Sequence, residues 1–310
     1  MAYVGLNTQV WRNNIKSVLL LIMFPLVIMA LVWLFIYFIQ PEPGERFVYA
    51  NQAYIRTLPW VLFGVFLWFT VAYFSHSRMI EKATGSAPLG RKENKRVYNL
   101  VENLCIASGM KMPKINVIED DSLNAFASGI NDSSFTVSLS RGIINRLDDE
   151  ELEAVIAHEL THIRNRDVRL LIVSIIFVGI FAFVTEALMR SVRFSGGGGK
   201  KDGRVMILAL LLAAVGYFLS TIFRFAISRQ REYMADAGAS LMTKRPLALA
   251  SALEKVSADP RIEAVQRHDV AQLFIENPEE KPKDKASAPF SSIFRTHPPI
   301  EKRIAILRQF

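Results

Sequence analysis

Four long stretches without a charged residue constrain the fold of this 310-residue chain more than any other feature. They cover residues 18–39, 58–74, 170–185 and 205–223. About 20 apolar residues are enough for a helix to cross the hydrocarbon core of a bilayer. The chain is also 51% hydrophobic, above the roughly 45–50% of soluble domains. We therefore predict a multi-pass helical membrane protein, and the composition excludes a disordered chain and a secreted disulfide scaffold.

The four apolar stretches form two pairs, which predicts two membrane hairpins separated by soluble sequence. The predicted spans are residues 18–39, 58–74, 170–188 and 205–223. The predicted parts are a first hairpin in residues 1–82, the first part of a soluble domain in 83–169, a second hairpin in 170–223 and the second part of that domain in 224–310. Loops are expected at 40–57 and at 189–204, where four glycines are consecutive. The third stretch is short for a span, so a re-entrant second hairpin stays an alternative.

Basic residues predict the orientation of the first hairpin. Its outer ends are flanked by Arg12, Lys16, Arg78 and Lys82, whereas its connecting loop holds only two basic residues. Because cytoplasmic loops carry an excess of lysine and arginine, the amino terminus and the soluble domain are expected in the cytoplasm. We attribute the net charge of +8 to this bias, so a lipid bilayer is the expected partner and nucleic acid is not.

The soluble sequence reads as a mixture of helices and short strands, an α+β arrangement. Apolar spacing predicts a helix over 95–108 that stops at Gly109, and alternation predicts a half-buried strand over 135–139. Further elements are strands at 114–118 and 125–128, loops at 84–90 and 276–289, helical sequence at 229–256 with a break near Pro246, and a last helix opened by Pro298 and Pro299. The only cysteine, Cys105, cannot form an intrachain disulfide and is expected to be a buried apolar side chain.

Two histidines, His158 and His162, lie one turn apart on a predicted helix. Acidic residues at 148–151 suit the first turn of that helix because they complement its dipole. Histidines at positions i and i+4 present both imidazoles to one ion, and a catalytic zinc site adds a third protein ligand and one open position. Glu159 follows the first histidine, so it can act as general base on a zinc-activated water. The competing interpretation is a surface helix with two unrelated histidines.

A carboxylate pair downstream supplies the candidate third ligand. Glu232 and Asp236 are four residues apart on a predicted helix and therefore share a face. Glu232 is predicted to bind the metal, and Asp236 to accept a hydrogen bond from a ligand histidine. Two apolar stretches, an even number, separate this pair from His158 and His162, so all four residues end on one side of the membrane. The alternative for the pair is an exposed acidic face. Arg303 is expected to be an exposed helix residue rather than the partner of a buried carboxylate.

Four short motifs follow one another along the chain: Asn-Ala-Phe-Ala-Ser-Gly at 124–129, Ala-His-Glu-Leu-Thr-His at 157–162, Glu-Tyr-Met-Ala-Asp at 232–236 and Thr-His-Pro-Pro at 296–299. In these motifs the chain resembles the HtpX-type membrane zinc metallopeptidases, bacterial relatives of the CAAX prenyl-protein endopeptidases. The resemblance implies a zincin-like (gluzincin) domain that carries a small β-sheet and binds one Zn²⁺ per chain. It assigns as ligands His158, His162 and Glu232. Glu159 would be the base, and Asp236 would support a ligand histidine.

The resemblance also implies two features of substrate handling. The first is a strand that lines the cleft and consists of Asn124, Ala125, Phe126 and Ala127. A peptide would pair with this strand as an additional strand. The second is His297, which would donate a hydrogen bond to the oxyanion of the tetrahedral intermediate. A histidine that only begins a helix fits the sequence of His297 equally well.

The function that the resemblance implies is that of a zinc endopeptidase embedded in the bacterial cytoplasmic (inner) membrane, with its active site facing the cytoplasm. Its substrates would be misfolded or damaged membrane and membrane-associated proteins, or unfolded polypeptides, in protein quality control and the stress response. An intramembrane protease is disfavoured because charged residues at 148–153 and 164–169 flank the zinc helix. Glu159 argues against a non-enzymatic scaffold that only holds zinc, because a structural zinc site does not need a general base. A CAAX-type processing peptidase stays an alternative.

Overall fold

The computed structural model describes residues 6–39, 44–194, 203–226, 229–258, 274–275 and 298–309. These residues are mostly helical with one small sheet. The helices are α1 (Leu6–Ile39), α2 (Arg46–Thr84), α3 (Lys95–Ser108), α4 (Arg141–Arg146), α5 (Asp149–Arg164), α6 (Asp167–Phe194), α7 (Gly203–Ala226), α8 (Arg229–Thr243), α9 (Pro246–Ala258) and α10 (Ile300–Leu307). The strands are β1 (Ser86–Pro88), β2 (Lys114–Ile118), β3 (Ala125–Ser128) and β4 (Thr136–Ser140). The chain divides into a sheet unit (Met1–Asn14, His76–Ile172 and Phe225–Phe310) and a helical unit (Ile15–Ser75 and Val173–Arg224).

The sheet has the strand order β1-β2-β4-β3. β2 and β4 run parallel, and β1 and β3 pair antiparallel with them on the outer sides. The strands predicted at 114–118 and 125–128 are confirmed. The strand predicted at 135–139 is present as β4, which begins one residue later. Its predicted half-burial is wrong, because all five residues of β4 are buried and packing covers both faces of this inner strand. The prediction of a loop at 84–90 is wrong at residues 86–88, which form β1. Pro88 is tolerated there because a residue on an edge strand does not need to donate its N–H to a neighbouring strand.

Helix α5 carries the histidine motif and begins with a capping box. The Asp148 carboxylate accepts from the Glu151 N–H at 2.9 Å, and the Glu151 carboxylate accepts from the Asp148 N–H at 3.1 Å. These bonds satisfy two N–H groups that a helix start leaves without partners. Gly238 on α8 faces Thr161 on α5, and a Cβ at this glycine would lie 2.4 Å from the Thr161 Cγ2. The glycine therefore allows the close packing that brings the start of α8 beside the histidines.

The other helices of the sheet unit follow the sequence pattern. The helix predicted over 95–108 is confirmed, and it ends at Gly109 in a left-handed conformation with φ of 65°, which glycine adopts at little cost. The predicted break separates α8 from α9 at Pro246, and α10 begins directly after Pro299. Cys105 is buried in α3 as predicted, and burial raises the pKa of its thiol to about 11.

The helical unit is held together by aromatic packing between α1 and α6. Phe24 stacks on Phe177 with ring centroids 3.9 Å apart, and it meets Phe181 edge to face. Trp68 and Phe69 of α2 pack against the same cluster. Aromatic pairs in these arrangements add about 0.5–1.5 kcal/mol each beyond their buried area. The three helices therefore share one apolar core.

Two helices in the described part of the chain are long and apolar enough to cross a membrane, Trp11–Ile39 and Arg46–Thr84. Their outward side chains include Trp60 and Phe74, which are 76% and 78% exposed. Soluble proteins rarely expose apolar surface of this extent, whereas lipid covers it. The third and fourth apolar stretches lie within α6 and α7, and it stays a prediction that they span the membrane.

Both loops predicted within the hairpins differ in the structure. Residues 46–57 belong to α2 rather than to a loop, because they contain no glycine or proline that would stop a helix. The loop predicted at 189–204 is shorter, since α6 continues to Phe194 and α7 begins at Gly203. The sequence predicts a loop at 189–204 because charged residues interrupt the apolar stretches there. Charged residues are compatible with a helix, so both helices continue past these interruptions.

Candidate metal centre

The structure brings His158, His162 and Glu232 together in the sheet unit, where they could hold one metal ion. The histidines lie on α5 and the glutamate lies on α8. Nε2 of His158 is 3.2 Å from Nε2 of His162, and each Nε2 is 3.6 Å from one Glu232 carboxylate oxygen. Ligands that a tetrahedral zinc ion binds at about 2.0–2.1 Å lie roughly 3.3 Å apart. The three side chains therefore have the spacing of a zinc ligand set.

Each histidine has a carboxylate beside its other ring nitrogen. Nδ1 of His158 lies 3.0 Å from Oδ1 of Asp236, and Nδ1 of His162 lies 3.2 Å from Oδ2 of Asp167. A carboxylate in this place keeps the proton on Nδ1 and directs the Nε2 lone pair toward the centre. The sequence leaves open which of the two histidines Asp236 contacts. In the structure this histidine is His158. No sequence motif points to Asp167, although an acidic residue shortly before a long apolar stretch is an unusual feature.

Arg303 is fully buried against Asp236, so the prediction of an exposed arginine is wrong. Its Nε and Nη2 donate to the two Asp236 oxygens at 2.9 and 2.7 Å, which is a bidentate ion pair. Its Nη1 donates to the Ile275 carbonyl at 3.3 Å and lies 3.6 Å from a Glu232 oxygen. Arginine on a short amphipathic helix is ordinarily solvated. Here the buried carboxylates of α8 reverse that preference because they need a cation.

Charges around His158 and Asp236 stabilise each other. Burial lowers the pKa of His158, but Asp236 and Glu232 outweigh burial and raise this pKa to about 9. Burial raises the pKa of Asp236, but Arg303 and His158 outweigh it and hold this pKa below its usual value. Without a metal, His158 is therefore a cation between carboxylates. A divalent ion at the same place would displace the imidazole proton.

Glu159 lies beside a small cavity next to the three clustered side chains. It is 2% exposed, and its carboxylate accepts a hydrogen bond from the backbone N–H of Ala127 on β3. Burial raises the pKa of Glu159, and the charges of the two histidines oppose this shift without cancelling it. The cavity has a volume of about 20 Å³ and is lined in part by Ala127, Glu159, His162 and Glu232. This volume is enough for about one water molecule.

The predicted substrate strand borders the cavity at one point. Of its residues Asn124, Ala125, Phe126 and Ala127, the last lines the cavity. The outer edge of β3 pairs with another segment of the chain, since the Ile275 N–H donates to the Ala125 carbonyl at 2.8 Å. Phe126 forms a bridge with Phe274, and their rings meet edge to face at 4.8 Å. The chain itself therefore covers the edge around Ala125 and Phe126.

Three further predictions lie outside the residues that the structure describes. They are the role of His297, the loop at 276–289 and the part of the loop at 189–204 that contains the four glycines, 196–199.

Taken together, these positions define a class of protein. One helix presents two histidines one turn apart, a second helix adds a carboxylate, and a buried glutamate borders a cavity of the size of one water. This is the arrangement of a metallopeptidase with a His-Glu-x-x-His helix.

Comparison with known proteins also indicates a metallopeptidase. Residues 91–310 match peptidase family M48. The chain is 58% identical, over an alignment of 323 positions, to a "Protease HtpX homolog" of Bacteroides fragilis, and the match covers 100% of both chains. It is 42% identical over 240 aligned residues to a "Protease HtpX homolog" of Dictyoglomus thermophilum, and that match covers 76% of both chains.

A solved structure is also similar, the crystal structure of S. mikatae Ste24p, with a TM-score of 0.47 and 20% sequence identity. That match covers 96% of this chain and 66% of the other. On the strength of the family match and the full-length relatives, the chain belongs to peptidase family M48. It is a membrane-associated metallopeptidase, and the resemblance to HtpX-type enzymes is confirmed.

Proposed function

We propose that the chain is a zinc-dependent endopeptidase of a bacterial cytoplasmic membrane, with several membrane spans and an active site that faces the cytoplasm. Its substrates are misfolded or damaged membrane and membrane-associated proteins and unfolded polypeptides, in protein quality control. The observation that carries this proposal is the spacing of His158, His162 and Glu232 with Glu159 beside a cavity of the size of one water. The two candidate membrane helices support substrates at the membrane.

His158, His162 and Glu232 would hold the zinc ion, since two imidazole nitrogens and one carboxylate leave a fourth coordination position open. Zinc supplies a Lewis acid that makes water acidic enough to lose a proton near neutral pH. Asp236 and Asp167 lie beside Nδ1 of the two histidines and hold a proton there, so the proton that a metal would displace from His158 is the one on Nε2. In this proposal the two carboxylates turn Nε2 of each imidazole, rather than Nδ1, toward the metal.

Glu159 moves the proton in the proposed reaction. Its carboxylate borders the cavity, accepts the proton of the attacking water and delivers this proton to the leaving amine. The raised pKa suits this role because the group must both accept and release a proton near neutral pH. The Ala127 N–H orients the carboxylate from strand β3.

An extended substrate would lie along the end of β3 that reaches Ala127 and Ser128. Phe274 and Ile275 pair with the other end, which supports this placement. A peptide added to a strand edge gains main-chain hydrogen bonds that do not depend on its sequence. Such binding fits a protease with many unfolded substrates. His297 stays the proposed donor to the oxyanion of the tetrahedral intermediate.

Purified full-length protein in detergent tests this function. Zinc content is measured by atomic emission, and cleavage of a fluorescently labelled unfolded protein is followed with and without a chelator. We expect about one zinc ion per chain, loss of cleavage with the chelator and recovery when zinc is added back. Protein that binds no zinc at saturating supply, or that cleaves equally well without it, contradicts the proposal.

Two substitutions on α8 separate a ligand from its support. Glu232→Ala is expected to remove stoichiometric zinc because it deletes one of three protein ligands. Asp236→Asn should retain zinc at saturating supply and lower zinc affinity or activity by about 10–100-fold, the usual effect of a group that orients a ligand. Zinc content and affinity are measured for both variants. Equal, mild effects would show that neither carboxylate supports a metal.

Cysteine labelling in intact cells tests the orientation. Gly44→Cys, between α1 and α2, should react with an impermeant reagent from outside, whereas Lys92→Cys should react only after permeabilisation. The native Cys105 gives little background because its raised pKa leaves few thiolates. A cysteine in the glycine run at 196–199 reports the second hairpin, and outside labelling there supports four spans. Labelling of Lys92→Cys from outside would reverse the proposed orientation.

A further inference from the structure

Asn13 connects the first helix of the chain to the candidate metal centre. It lies on α1, is 1% exposed, and donates from Nδ2 to Oδ1 of Asp167 at 2.6 Å and to the Asn165 carbonyl at 2.9 Å. A carboxylate and a carbonyl only accept hydrogen bonds, so the amide nitrogen must face both of them. Asn13 lies outside the residues 91–310 that match the peptidase family.

Asp167 divides its two oxygens between Asn13 and His162. Oδ1 accepts from Asn13, and Oδ2 lies 3.2 Å from Nδ1 of His162. The Asp167 side chain is 1% exposed, so water cannot easily replace a lost partner. Its backbone carbonyl also accepts from Nη1 of Arg231 at 3.4 Å, and Arg231 precedes the candidate ligand Glu232. Asp167 therefore contacts residues on both helices that supply the candidate ligands.

We propose that Asn13 is a positioning residue of the metal centre and acts through Asp167 on His162. The inference rests on the proposed zinc site. Asn165 caps the end of α5 and Asp167 begins α6, so the Asn13 amide bridges the turn between these helices. This bridge holds the Asp167 carboxylate toward Nδ1 of His162 and thereby keeps Nε2 directed at the ion. Without the bridge, the Asp167 carboxylate loses the Asn13 hydrogen bond that orients it.

The first measurement is the zinc affinity of full-length protein in detergent, by competition with a chromophoric chelator. Asn13→Ala is expected to weaken zinc binding about 10-fold, the lower end of the range for groups that orient a ligand. Asn13→Asp keeps the size but places a second carboxylate against Asp167, and its effect should be at least as large. Asn14→Ala is the matched control, because the next residue on a helix points about 100° away. It should bind zinc like the wild type.

A double-mutant cycle with Asp167→Asn separates positioning from general stabilisation. If Asn13 acts through Asp167, Asn13→Ala should cause little further loss of zinc affinity in the Asp167→Asn background. The protein loaded with Co²⁺ gives a second readout, because its visible bands report ligand geometry. Asn13→Ala should shift these bands, whereas a merely structural role would lower thermal stability and leave them unchanged. An equal loss of affinity in both backgrounds, with unchanged bands, overturns the inference.

His162→Ala distinguishes failure of this inference from failure of the proposed function. If His162→Ala loses zinc while Asn13→Ala and Asn13→Asp bind it like the wild type, only the role of Asn13 is wrong. If His162→Ala binds zinc like the wild type, the proposed site is wrong and the role of Asn13 falls with it. Where Asn13→Ala gives too little folded protein, Asn13→Asp decides, since it preserves the side-chain volume.

Discussion

Glu159→Gln is expected to abolish proteolysis while zinc stays bound. Glutamine has nearly the same size and can still accept the Ala127 N–H, but its amide cannot take a proton from water. General acid–base catalysis contributes about 10²–10⁴-fold to a rate, so kcat/KM for an unfolded substrate should fall by about 10³-fold. The measurement is kcat/KM beside zinc content for wild type and variant.

The matched control for this prediction is His158→Ala, which should lose zinc and activity together because it deletes a ligand. The pair of variants separates the two roles that a glutamate beside a metal can have. If Glu159→Gln loses its zinc, Glu159 is a ligand rather than a base. If the variant stays fully active, another group takes the proton.

Arg303→Met is expected to destabilise the protein strongly. The substitution leaves Asp236 and Glu232 buried without the guanidinium that they share, so that only His158 still lies between them. Breaking a buried ion pair by removal of one partner costs about 3–5 kcal/mol. In a chain of this size such a loss corresponds to a decrease in Tm of about 10 °C. The measurement is thermal unfolding of the chelator-treated protein in detergent, followed by circular dichroism.

Arg308→Met is the matched control, at the residue that caps the end of the same helix. Arg308 pairs with Glu254 at the surface, where both side chains are largely exposed. Exposed pairs contribute about 0–1 kcal/mol, so the Tm of this variant should change little. Similar Tm values for the two variants would show that the Arg303 ion pairs do not stabilise the fold.

Local features of the site could be predicted from the sequence because helix geometry is local. His158 and His162 are four residues apart and so are Glu232 and Asp236, which places each pair on one face of its helix. The start of α5 after Asp148 could also be predicted from the sequence, since the acidic residues that mark it lie within one turn. The strand at 86–88 could not be predicted from the sequence, because its pairing with β2 overrides a composition that is typical of turns.

The partners of these side chains were decided by the tertiary structure alone. Arg303 is 67 residues from Asp236 along the chain, and Asn13 is 154 residues from Asp167. By itself the sequence determined the two candidate membrane helices, the residue faces and the candidate ligands, since these depend on neighbours within a few turns. Which cation meets which carboxylate depends on distance in space, because Coulomb and hydrogen-bond energies decay over a few ångströms. Only the tertiary packing that brings Asn13 to Asp167 and Arg303 to Asp236 sets those distances.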